Sequence, residues 1–204
     1  CDLAASHRAI LMVDEAHATG VFGRRGAGLV EESGTAAGVH LRVGTLSKAL
    51  GSSGGFVAGH ADLVHWLRHK ARAWMFSTAH PPAVAAAATR AVELLATEPH
   101  RRRELLERAA RVRETLEGAG LDIGGATAQI VPVIVGPAAA AVAASARLAE
   151  AGLFVPAIRP PSVPDGRSLL RVSLSWHHTD ADLDRLTAAI ETVLGTGRCR
   201  EKRG

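Results

Sequence analysis

Short apolar runs alternate with longer segments of helical periodicity along this chain. The run AILMV (9–13) is continuously apolar, which is typical of a parallel strand buried on both faces. Strands are also predicted at 41–46, 56–59, 130–136, 153–161 and 168–176, and helices at 61–76, 81–98, 101–120, 138–152 and 179–195. Strands that alternate with helices indicate an α/β architecture.

Residues with known positional preferences support the predicted helix ends. Pro81 and Pro82 suit the start of a helix, and Gly152 suits a helix stop. Thr179 is a predicted N-cap because acidic residues follow it in the first turn of a helical pattern.

A boundary between two parts is predicted near residues 97–100, inside the helical stretch. Residues 1–98 look like part of a larger α/β domain, and residues 99–204 look like a small α/β domain with a basic tail. The chain lacks an initiator Met and begins close to a predicted strand. We therefore expect it to be the C-terminal portion of a longer protein.

The amino-acid composition and the net charge disfavour several classes of function. Hydrophobic residues make up 47% of the 204, as in a globular protein, and the net charge of +4 is mild. Acidic residues interleave the basic segment 100–113, which favours a solvated helix face over a nucleic-acid site. Cys1 and Cys199 indicate neither a disulfide scaffold nor a metal site, so a reducing cytoplasm is expected. No apolar run reaches the roughly 18 residues of a membrane span, so no membrane partner is expected.

The stretch VDEAHATG (13–20) allows two interpretations. In helicases, the letters DEAH mark an acidic pair that handles magnesium and ATP. That chemistry also needs a phosphate-binding loop GxxxxGK[ST], and this chain contains no Gly-Lys dipeptide. The sequence also shows no aromatic-lined basic groove or arginine-finger motif, so a nucleotide hydrolase is disfavoured.

Polar residues that follow the first two predicted strands fit another chemistry. Asp14 and His17 follow one strand, and Thr45, Ser47 and Lys48 follow the next. Because ligands bind outside the carboxyl ends of strands in open α/β sheets, these five residues are expected to face one crevice. The Lys48 amine, desolvated by small neighbours, could attack an aldehyde, and Asp14 could hold a protonated ring nitrogen. The His17 imidazole could bind a phenolic oxygen. The hydroxyls of Thr45 and Ser47 could bind phosphate. These features occur together in pyridoxal 5'-phosphate, PLP.

Each of these residues also has a plainer interpretation. Lys48 could be a surface charge, Asp14 and Glu15 could begin a loop with Glu15 as structural support, and His17 could be satisfied by backbone. The glycines of segment 51–55 could form a simple turn. Only the combination favours a PLP site, and the residues alone leave both interpretations open.

Four longer motifs resemble the α-oxoamine synthase family of fold-type I PLP enzymes. They are VDEAHATGVFGRRGAGLVEESG (13–34), GTLSKALGSSGGFVAG (44–59), FSTAHPPAVAAAA (76–88) and VPAIRPPSVPDGRSLLRVSLSWHHT (155–179). Their order and spacing agree with the family over roughly residues 8–195. The resemblance implies an aspartate aminotransferase-like fold, with the C-terminal part of the large PLP-binding domain at 1–98 and the small C-terminal domain at 99–204.

The resemblance also implies cofactor contacts. Lys48 would form the Schiff base with PLP, Asp14 would pair with its pyridinium nitrogen, and His17 would bond its phenolic oxygen. Thr45 would contact the phosphate, with Ser47 as a weaker candidate.

Four further residues are implied to bind phosphate or substrate. Ser77 and Thr78 would reach the phosphate of the neighbouring subunit's cofactor across a homodimer interface. Arg159 would grip the amino-acid carboxylate, because a guanidinium fork suits that geometry. Ser162 stands in the substrate site where the family usually has Thr. The chain also departs from the family at His80, where Leu is usual, and at Trp176 and His177, where small residues are common.

The segment VPAIRPPSVP (155–164) most resembles members that condense L-alanine with pimeloyl-CoA or pimeloyl-ACP in biotin synthesis. In this decarboxylative condensation, Asp14 would keep the cofactor ring protonated and Lys48 would remove the α-proton as general base. Other α-oxoamine synthases, which make 5-aminolevulinate, 2-amino-3-oxobutyrate or 3-oxosphinganine, remain alternatives, as does a non-catalytic truncated remnant. Because the family's phosphate loop and ring-stacking His are not identifiable here, we expect this chain alone to bind PLP weakly or not at all.

Overall fold

The computed structural model describes residues 1–195, which form two compact units. The first unit spans Cys1–Arg102, and the second begins at Arg103. Cys199 and the rest of the predicted basic tail (197–204) lie outside the described residues.

The first unit contains a small sheet flanked by helices along the chain. Its strands are β1 (Met12–Asp14), β2 (Leu41–Thr45) and β3 (Gly55–Gly59), and its helices are α1 (Asp2–Ser6), α2 (Leu29–Glu32), α3 (Ala61–Lys70), α4 (Arg72–Met75) and α5 (Pro82–Thr97), with a 3₁₀ turn at Ala36–Gly38. Helix α6 (His100–Gly118) begins at the end of this unit and continues into the second. The three strands predicted for this part of the chain are confirmed. β1 is not buried on both faces as its apolar run indicated, because it lies at the edge of the described sheet and Met12 is exposed.

The strands of the first unit form a mixed sheet in the order β1-β2-β3. β1 runs parallel to β2, with Asp14 opposite Val43, and β3 runs antiparallel to β2, with Gly55 opposite Thr45. The antiparallel return follows from the connection, because residues 46–54 are too few for the helical crossover that a parallel neighbour requires.

The single helix predicted at 61–76 is instead two helices. Ala71 has φ −75° and ψ 103°, which is an extended conformation, and it separates α3 from α4. The basic residues Arg68, His69 and Lys70 occupy the last turn of α3, where the helix dipole favours positive charge. The helical spacing of apolar residues across 61–76 therefore did not reveal that α3 ends at Lys70. The basic residues of its last turn stabilise that end.

The second unit packs three helices with an antiparallel sheet. Its further elements are β4 (Ile130–Gly136), α7 (Ala138–Glu150), β5 (Ala157–Ile158), β6 (Ser168–Ser173) and α8 (Asp180–Leu194), and the strand order is β4-β6-β5. The core contains alternate residues of β4 and β6, together with one apolar face of each helix: Val131, Val133, Leu170, Val172, Leu105, Ala109, Val112, Leu116, Ala141, Ala144, Leu148, Leu183, Leu186 and Ile190. The buried residues of α6 recur at intervals of four, three and four, which is the spacing of one helix face.

β5 is much shorter than the strand predicted at 153–161. Pro156, Pro160 and Pro161 flank or interrupt this segment, and proline has no N–H to donate to a neighbouring strand. Only Ala157 and Ile158 pair with β6. Within residues 1–195, none of the helices combines the length and apolar character needed to cross a bilayer.

The predicted N-cap at Thr179 is confirmed, and it forms a capping box at the start of α8. The Thr179 hydroxyl accepts the backbone N–H of Asp182 at 3.2 Å, and the Asp182 carboxylate accepts the backbone N–H of Thr179 at 2.8 Å. These two bonds satisfy donors that a helix start otherwise leaves unpaired. The Thr179 side chain and backbone donors also lower the pKa of the Asp182 carboxyl.

Replacing Thr179 with Ala should lower the free energy of unfolding by about 1 kcal/mol, the usual effect of removing a capping hydroxyl. Urea unfolding of the chain measures this loss. Thr192→Ala is the matched control, because that exposed hydroxyl bonds only the carbonyl of Ala188 within the same helix. A Thr179→Ala variant as stable as Thr192→Ala would contradict the capping role.

Candidate active site

The parallel pairing of β1 and β2 brings two predicted site residues to one edge of the sheet. Asp14 ends β1, and Thr45 ends β2 two residues after Val43, the partner of Asp14. Since side chains alternate along a strand, Asp14, Val43 and Thr45 lie on the same face. Gly55 lies opposite Thr45 and contributes no side chain.

Asp14 and His17 lie in an exposed turn that follows β1. One Asp14 carboxylate oxygen accepts the backbone N–H of Ala16 at 2.8 Å, which fixes the carboxylate against its own turn. The rest of the Asp14 carboxylate and the ring of His17 are open to solvent in the single chain. The structure therefore offers an acid and an imidazole three residues apart at the sheet edge.

Glu15, between these two residues, is buried and has a structural role. It is 2% exposed, and its two carboxylate oxygens accept the backbone N–H groups of Leu29 and Val30 at 2.9 and 2.8 Å. Its own N–H donates to the carbonyl of Val43 at 2.7 Å and so extends the pairing of β1 with β2. Gly28 has φ +114°, and a Cβ there would lie 2.5 Å from the Glu15 carboxylate. Glu15 thus anchors the start of α2 to the strand end that carries Asp14.

Two further glutamates hold the glycine-rich loop between Glu15 and α2. Glu31 accepts the backbone N–H groups of Arg25 and Ala27 at 3.1 and 3.0 Å and the Arg25 side chain at 2.9 Å, while Glu32 accepts the N–H of Gly23 at 2.9 Å. Partial burial raises the pKa of Glu31, but these hydrogen bonds and the Arg25 charge outweigh it and lower the pKa below its usual value. This arrangement was not predicted; the glutamate pair that follows GRRGAG after two apolar residues is the signal that could have revealed it.

Acidification should weaken this loop through Glu31. Because its folded-state pKa lies below the ordinary value of 4.5, the carboxylate contributes stability that is fully present above that value and is lost as the pH falls through the folded-state pKa. Glu31→Gln should remove this part of the pH dependence. Urea unfolding between about pH 7 and about pH 3 tests it, with Glu114→Gln on α6 as the exposed control. Parallel stability curves for the wild type and Glu31→Gln would refute the role of Glu31.

Thr45 and Ser47 form a hydroxyl cluster at the end of β2. The Thr45 hydroxyl donates to the carbonyl of Gly54 at 3.1 Å and accepts the backbone N–H of Ser47 at 3.1 Å. The Ser47 hydroxyl lies 2.7 Å from the Thr45 hydroxyl. Because the single proton of Thr45 is directed at Gly54, Ser47 is the donor of this last bond. The two predicted phosphate ligands are therefore neighbours that already bond each other.

Lys48 follows this cluster in a solvent-exposed loop. Its side chain is exposed in the single chain, so the expectation that small neighbours desolvate the amine is wrong here. The physical reason is local: Ser47 and Ala49 are themselves exposed and cannot cover a long side chain. The loop closes through a hydrogen bond from the N–H of Gly51 to the carbonyl of Lys48 at 3.0 Å.

The segment 77–80 contacts the loop that follows Lys48. Gly54 has φ +94°, and a Cβ there would lie 2.5 Å from Nε2 of His80. The Ser77 hydroxyl donates to the carbonyl of Ala73, and both Ser77 and Thr78 are exposed. His80, the departure from the family noted above, therefore packs next to the residue whose carbonyl holds Thr45.

The predicted substrate-binding residues belong to the second unit. Arg159 and Ser162 are both exposed, and the N–H of Ser162 donates to the carbonyl of Arg159 at 3.0 Å. This bond closes a turn around Pro160 and Pro161, whose peptide bond is cis. The Arg159 guanidinium and the Ser162 hydroxyl therefore belong to the same short loop.

Trp176, another departure from the family, is part of a polar cluster in the same unit. Its indole N–H donates to Glu104 at 2.8 Å, and its carbonyl accepts Arg108 at 2.7 Å. The ring of His177 meets the Trp176 ring edge-on at 5.3 Å between centroids. Trp176 therefore fixes the strand-to-helix turn before α8 to helix α6.

A cavity of about 460 Å³ in the first unit lies away from the predicted site. Its lining is mainly apolar and includes Leu11, Val13 and Val30. Val13 precedes Asp14 on β1, so the two side chains point to opposite faces of the sheet. Among residues 1–195, no cluster of three His, Cys, Asp or Glu side chains is arranged to hold a metal ion.

The donor set at the carboxyl edge of β1 and β2 fits PLP. An amine is available for its aldehyde, a carboxylate for its ring nitrogen, an imidazole for its phenolic oxygen, and two hydroxyls for its phosphate. All five side chains follow directly from the ends of two adjacent parallel strands. That position is where open α/β sheets bind their ligands.

Comparisons with known proteins identify relatives of this chain. An 8-amino-7-oxononanoate synthase from Anaeromyxobacter dehalogenans (strain 2CP-C) is 49% identical over 193 residues, which cover 95% of this chain and 49% of that protein. The chain spans about half the length of the curated relatives it matches.

Solved structures show the same fold. A serine palmitoyltransferase from Sphingomonas wittichii has a TM-score of 0.90 at 36% identity, covering 96% of this chain and 50% of that one. A serine palmitoyltransferase from S. paucimobilis, solved with a bound PLP–myriocin aldimine, has a TM-score of 0.90 at 32% identity with the same coverage. The predicted fold-type I architecture is confirmed, and the second structure holds the cofactor that the sequence motifs predicted.

The family-level match covers most of the chain. The sequence pattern of the family described as "Aminotransferase class I and II" matches residues 1–190. The resemblance to α-oxoamine synthases predicted from the motifs is confirmed by the relatives above. This chain belongs to the aminotransferase class I and II family.

Proposed function

We propose that this chain contributes the cofactor-binding lysine and the amino-acid-binding arginine of an enzyme that condenses L-alanine with a pimeloyl thioester. The products are 8-amino-7-oxononanoate, carbon dioxide and the free thiol of CoA or of an acyl carrier protein. One observation carries the proposal: Asp14 and the Thr45–Lys48 segment meet at the carboxyl edge of two parallel strands. The 49% identity to an 8-amino-7-oxononanoate synthase supports this reaction over the others of the family.

Five residues of the first unit would hold the cofactor. PLP, when bound, draws electrons from the α-carbon of the amino acid and so acidifies its proton. The Lys48 amine is the residue that would hold the aldehyde, and the hydroxyls of Thr45 and Ser47 would turn toward the phosphate. His17 would donate to or accept from the phenolic oxygen. Lys48 and His17 are both exposed to solvent in the single chain.

Asp14 and Lys48 would control the two protons of the reaction. The Asp14 carboxylate would hold a proton on the ring nitrogen, because an opposite charge at close range favours both ionised forms. Its bond from the N–H of Ala16 keeps the carboxylate oriented at the strand end. The Lys48 amine, once released by the amino acid, would take the proton from the α-carbon as general base.

Arg159 and Ser162 would select the amino acid. The planar guanidinium of Arg159 can bind a carboxylate through two parallel hydrogen bonds, which positions the substrate as well as attracting it. Ser162, held to Arg159 by the turn around Pro160 and Pro161, would add a hydroxyl donor. The hydroxyl keeps the polar character of the Thr that the family usually has at this position.

The enzyme would act as a homodimer with shared active sites. Ser77 and Thr78 are exposed on the segment before α5, where they are available to a second subunit. We propose that they bind the phosphate of the neighbouring subunit's cofactor. The chain alone, without the rest of the length that its relatives have, would bind PLP weakly.

A serine palmitoyltransferase-type reaction is the second candidate. The observation that favours it is the agreement with two serine palmitoyltransferase structures at TM-scores of 0.90. Identity to those structures is 36% and 32%, below the 49% shared with the 8-amino-7-oxononanoate synthase. The two candidate reactions differ in the amino acid and in the acyl thioester that they use.

A substrate panel tests the proposal. The protein that carries this chain is assayed with L-alanine, glycine and L-serine, each combined with pimeloyl-CoA and palmitoyl-CoA, and thiol release is measured. The proposal expects the highest kcat/KM for L-alanine with pimeloyl-CoA. A preference for L-serine with palmitoyl-CoA would replace it with the second candidate, and no thiol release with any pair would favour a non-catalytic remnant.

A further inference from the structure

Two histidines lie one turn apart on the exposed face of helix α3. His65 and His69 are at positions i and i+4, both are exposed, and their ring centroids are 4.6 Å apart with 44° between the ring planes. Residues four apart on a helix are neighbours on its surface. Two imidazoles at this separation can both reach one small ion.

The hydrogen bond of His69 leaves the correct nitrogen available for a metal. Its Nδ1 lies 2.9 Å from the backbone carbonyl of His65. A carbonyl oxygen only accepts, so Nδ1 carries the proton and Nε2 keeps its lone pair. Metal-binding histidines commonly have this arrangement, in which a carbonyl or carboxylate fixes the tautomer and the ring orientation. The helix therefore presents His69 as a preorganised ligand.

We propose that His65 and His69 form a two-histidine clip that binds a borderline divalent transition-metal ion such as Zn²⁺ or Cu²⁺. Imidazole nitrogen suits these ions, whereas Mg²⁺ and Ca²⁺ prefer oxygen ligands. No third side chain completes a cluster within residues 1–195, so water occupies the remaining coordination positions and the ion exchanges readily. The site is separate in sequence from the residues proposed to hold PLP.

Nearby charges set the strength of this clip. Asp62 lies one turn before His65 on the same face and attracts a cation, whereas Arg68 and Lys70 flank His69 and oppose it. All three are exposed, so salt screens their effect. Binding weakens at acidic pH because protons compete for the imidazole nitrogens.

Metal binding should also stabilise α3 itself. The helix has ten residues, and its best-covered apolar residues, Leu63, Val64 and Leu67, are only half-buried, so tertiary packing stabilises it only in part. An ion held by both rings requires the spacing of a helical turn and therefore binds only the helical form. Ligands that bind only the folded form stabilise it by mass action.

Side-chain NMR of the histidines during a Zn²⁺ titration at neutral pH tests the proposal. Both cysteines are replaced by Ser in all proteins, so that thiols do not compete for the metal. We expect the ring signals of His65 and His69 to shift together with one saturating ion, Mg²⁺ to have no effect, and slower amide exchange in α3 when Zn²⁺ is bound. Cu²⁺ should bind more tightly than Zn²⁺.

Two variants separate chelation from unspecific binding. His69→Gln combined with Lys70→His keeps the number of histidines but moves the second ring to i+5, about 140° around the helix from His65. It should lose the joint shift and bind Zn²⁺ roughly 10²-fold more weakly, since linked ligands lose their advantage when geometry forbids simultaneous contact. His7→Gln, which changes an exposed histidine outside α3, should bind as the parent does. Equal affinity in the i+5 variant, or no joint shift in the parent, would overturn the proposal.

Discussion

Replacing Lys48 with Ala should reduce kcat/KM by at least about 10³-fold, because the variant loses both the amine that holds the cofactor aldehyde and the base that moves the α-proton. Lys48 is placed for this by the end of β2 and by the loop that Gly51 closes onto its carbonyl. A steady-state assay with L-alanine and a pimeloyl thioester measures the loss. Added methylamine should restore part of the activity, since a small amine can replace the missing base.

Lys70→Ala is the matched control for this variant. Lys70 is also exposed, ends α3 and has no proposed role in binding PLP or substrate, so its replacement should leave kcat/KM within about a factor of two. The circular dichroism spectra of both variants should match the parent, because neither side chain is buried. Activity of Lys48→Ala close to that of Lys70→Ala would remove Lys48 from the site.

Replacing Asp14 with Asn should reduce kcat/KM by about 10²- to 10⁴-fold with little change in stability. The amide keeps the size of the carboxylate and can still accept the N–H of Ala16, but it has no negative charge to hold a proton on the ring nitrogen. The loss should appear mainly in kcat, since we propose that Arg159, and not Asp14, binds the amino-acid carboxylate. A stopped assay with separate kcat and KM values tests this.

Glu15→Gln gives the contrasting result at the neighbouring position. Each Glu15 carboxylate oxygen accepts one backbone N–H, and the amide group of Gln can replace only one of the two. This variant should therefore lose stability, whereas Asp14→Asn loses activity. The interpretation of the DEAH stretch would be wrong if Asp14→Asn kept near-parental kcat, or if the parent required ATP and magnesium.

The secondary structure could be predicted where one signal dominates. The apolar runs at β1 and β4, the prolines before α5 and the capping residue Thr179 each indicate an element that the structure contains. The break in segment 61–76 was harder to predict, because the helical spacing of apolar residues continues on both sides of Ala71, which has an extended conformation. The short β5 follows from prolines whose effect on pairing depends on the neighbouring strand.

The sequence was sufficient to predict which residues lie at the candidate site, but not how exposed they are or which backbone groups they bind. Adjacent parallel strands were sufficient to expect Asp14 and Thr45 at one edge, and the pairing of β1 with β2 agrees. The exposure of Lys48 was not predictable, because it depends on how far the surrounding loops cover the strand ends. The carboxylates of Glu15, Glu31 and Glu32 bind backbone N–H groups, and sequence patterns report such contacts poorly.

The most direct test is to identify the residue that holds the cofactor. The protein that carries this chain is incubated with PLP, treated with borohydride to fix the bond between amine and aldehyde, digested and mapped by mass spectrometry. We expect one added phosphopyridoxyl group per chain, on the peptide that contains Lys48, and none on that peptide when Asp14 and Thr45 are intact but Lys48 is replaced by Ala. Stoichiometric labelling of Lys70 or another lysine instead of Lys48 would contradict this expectation.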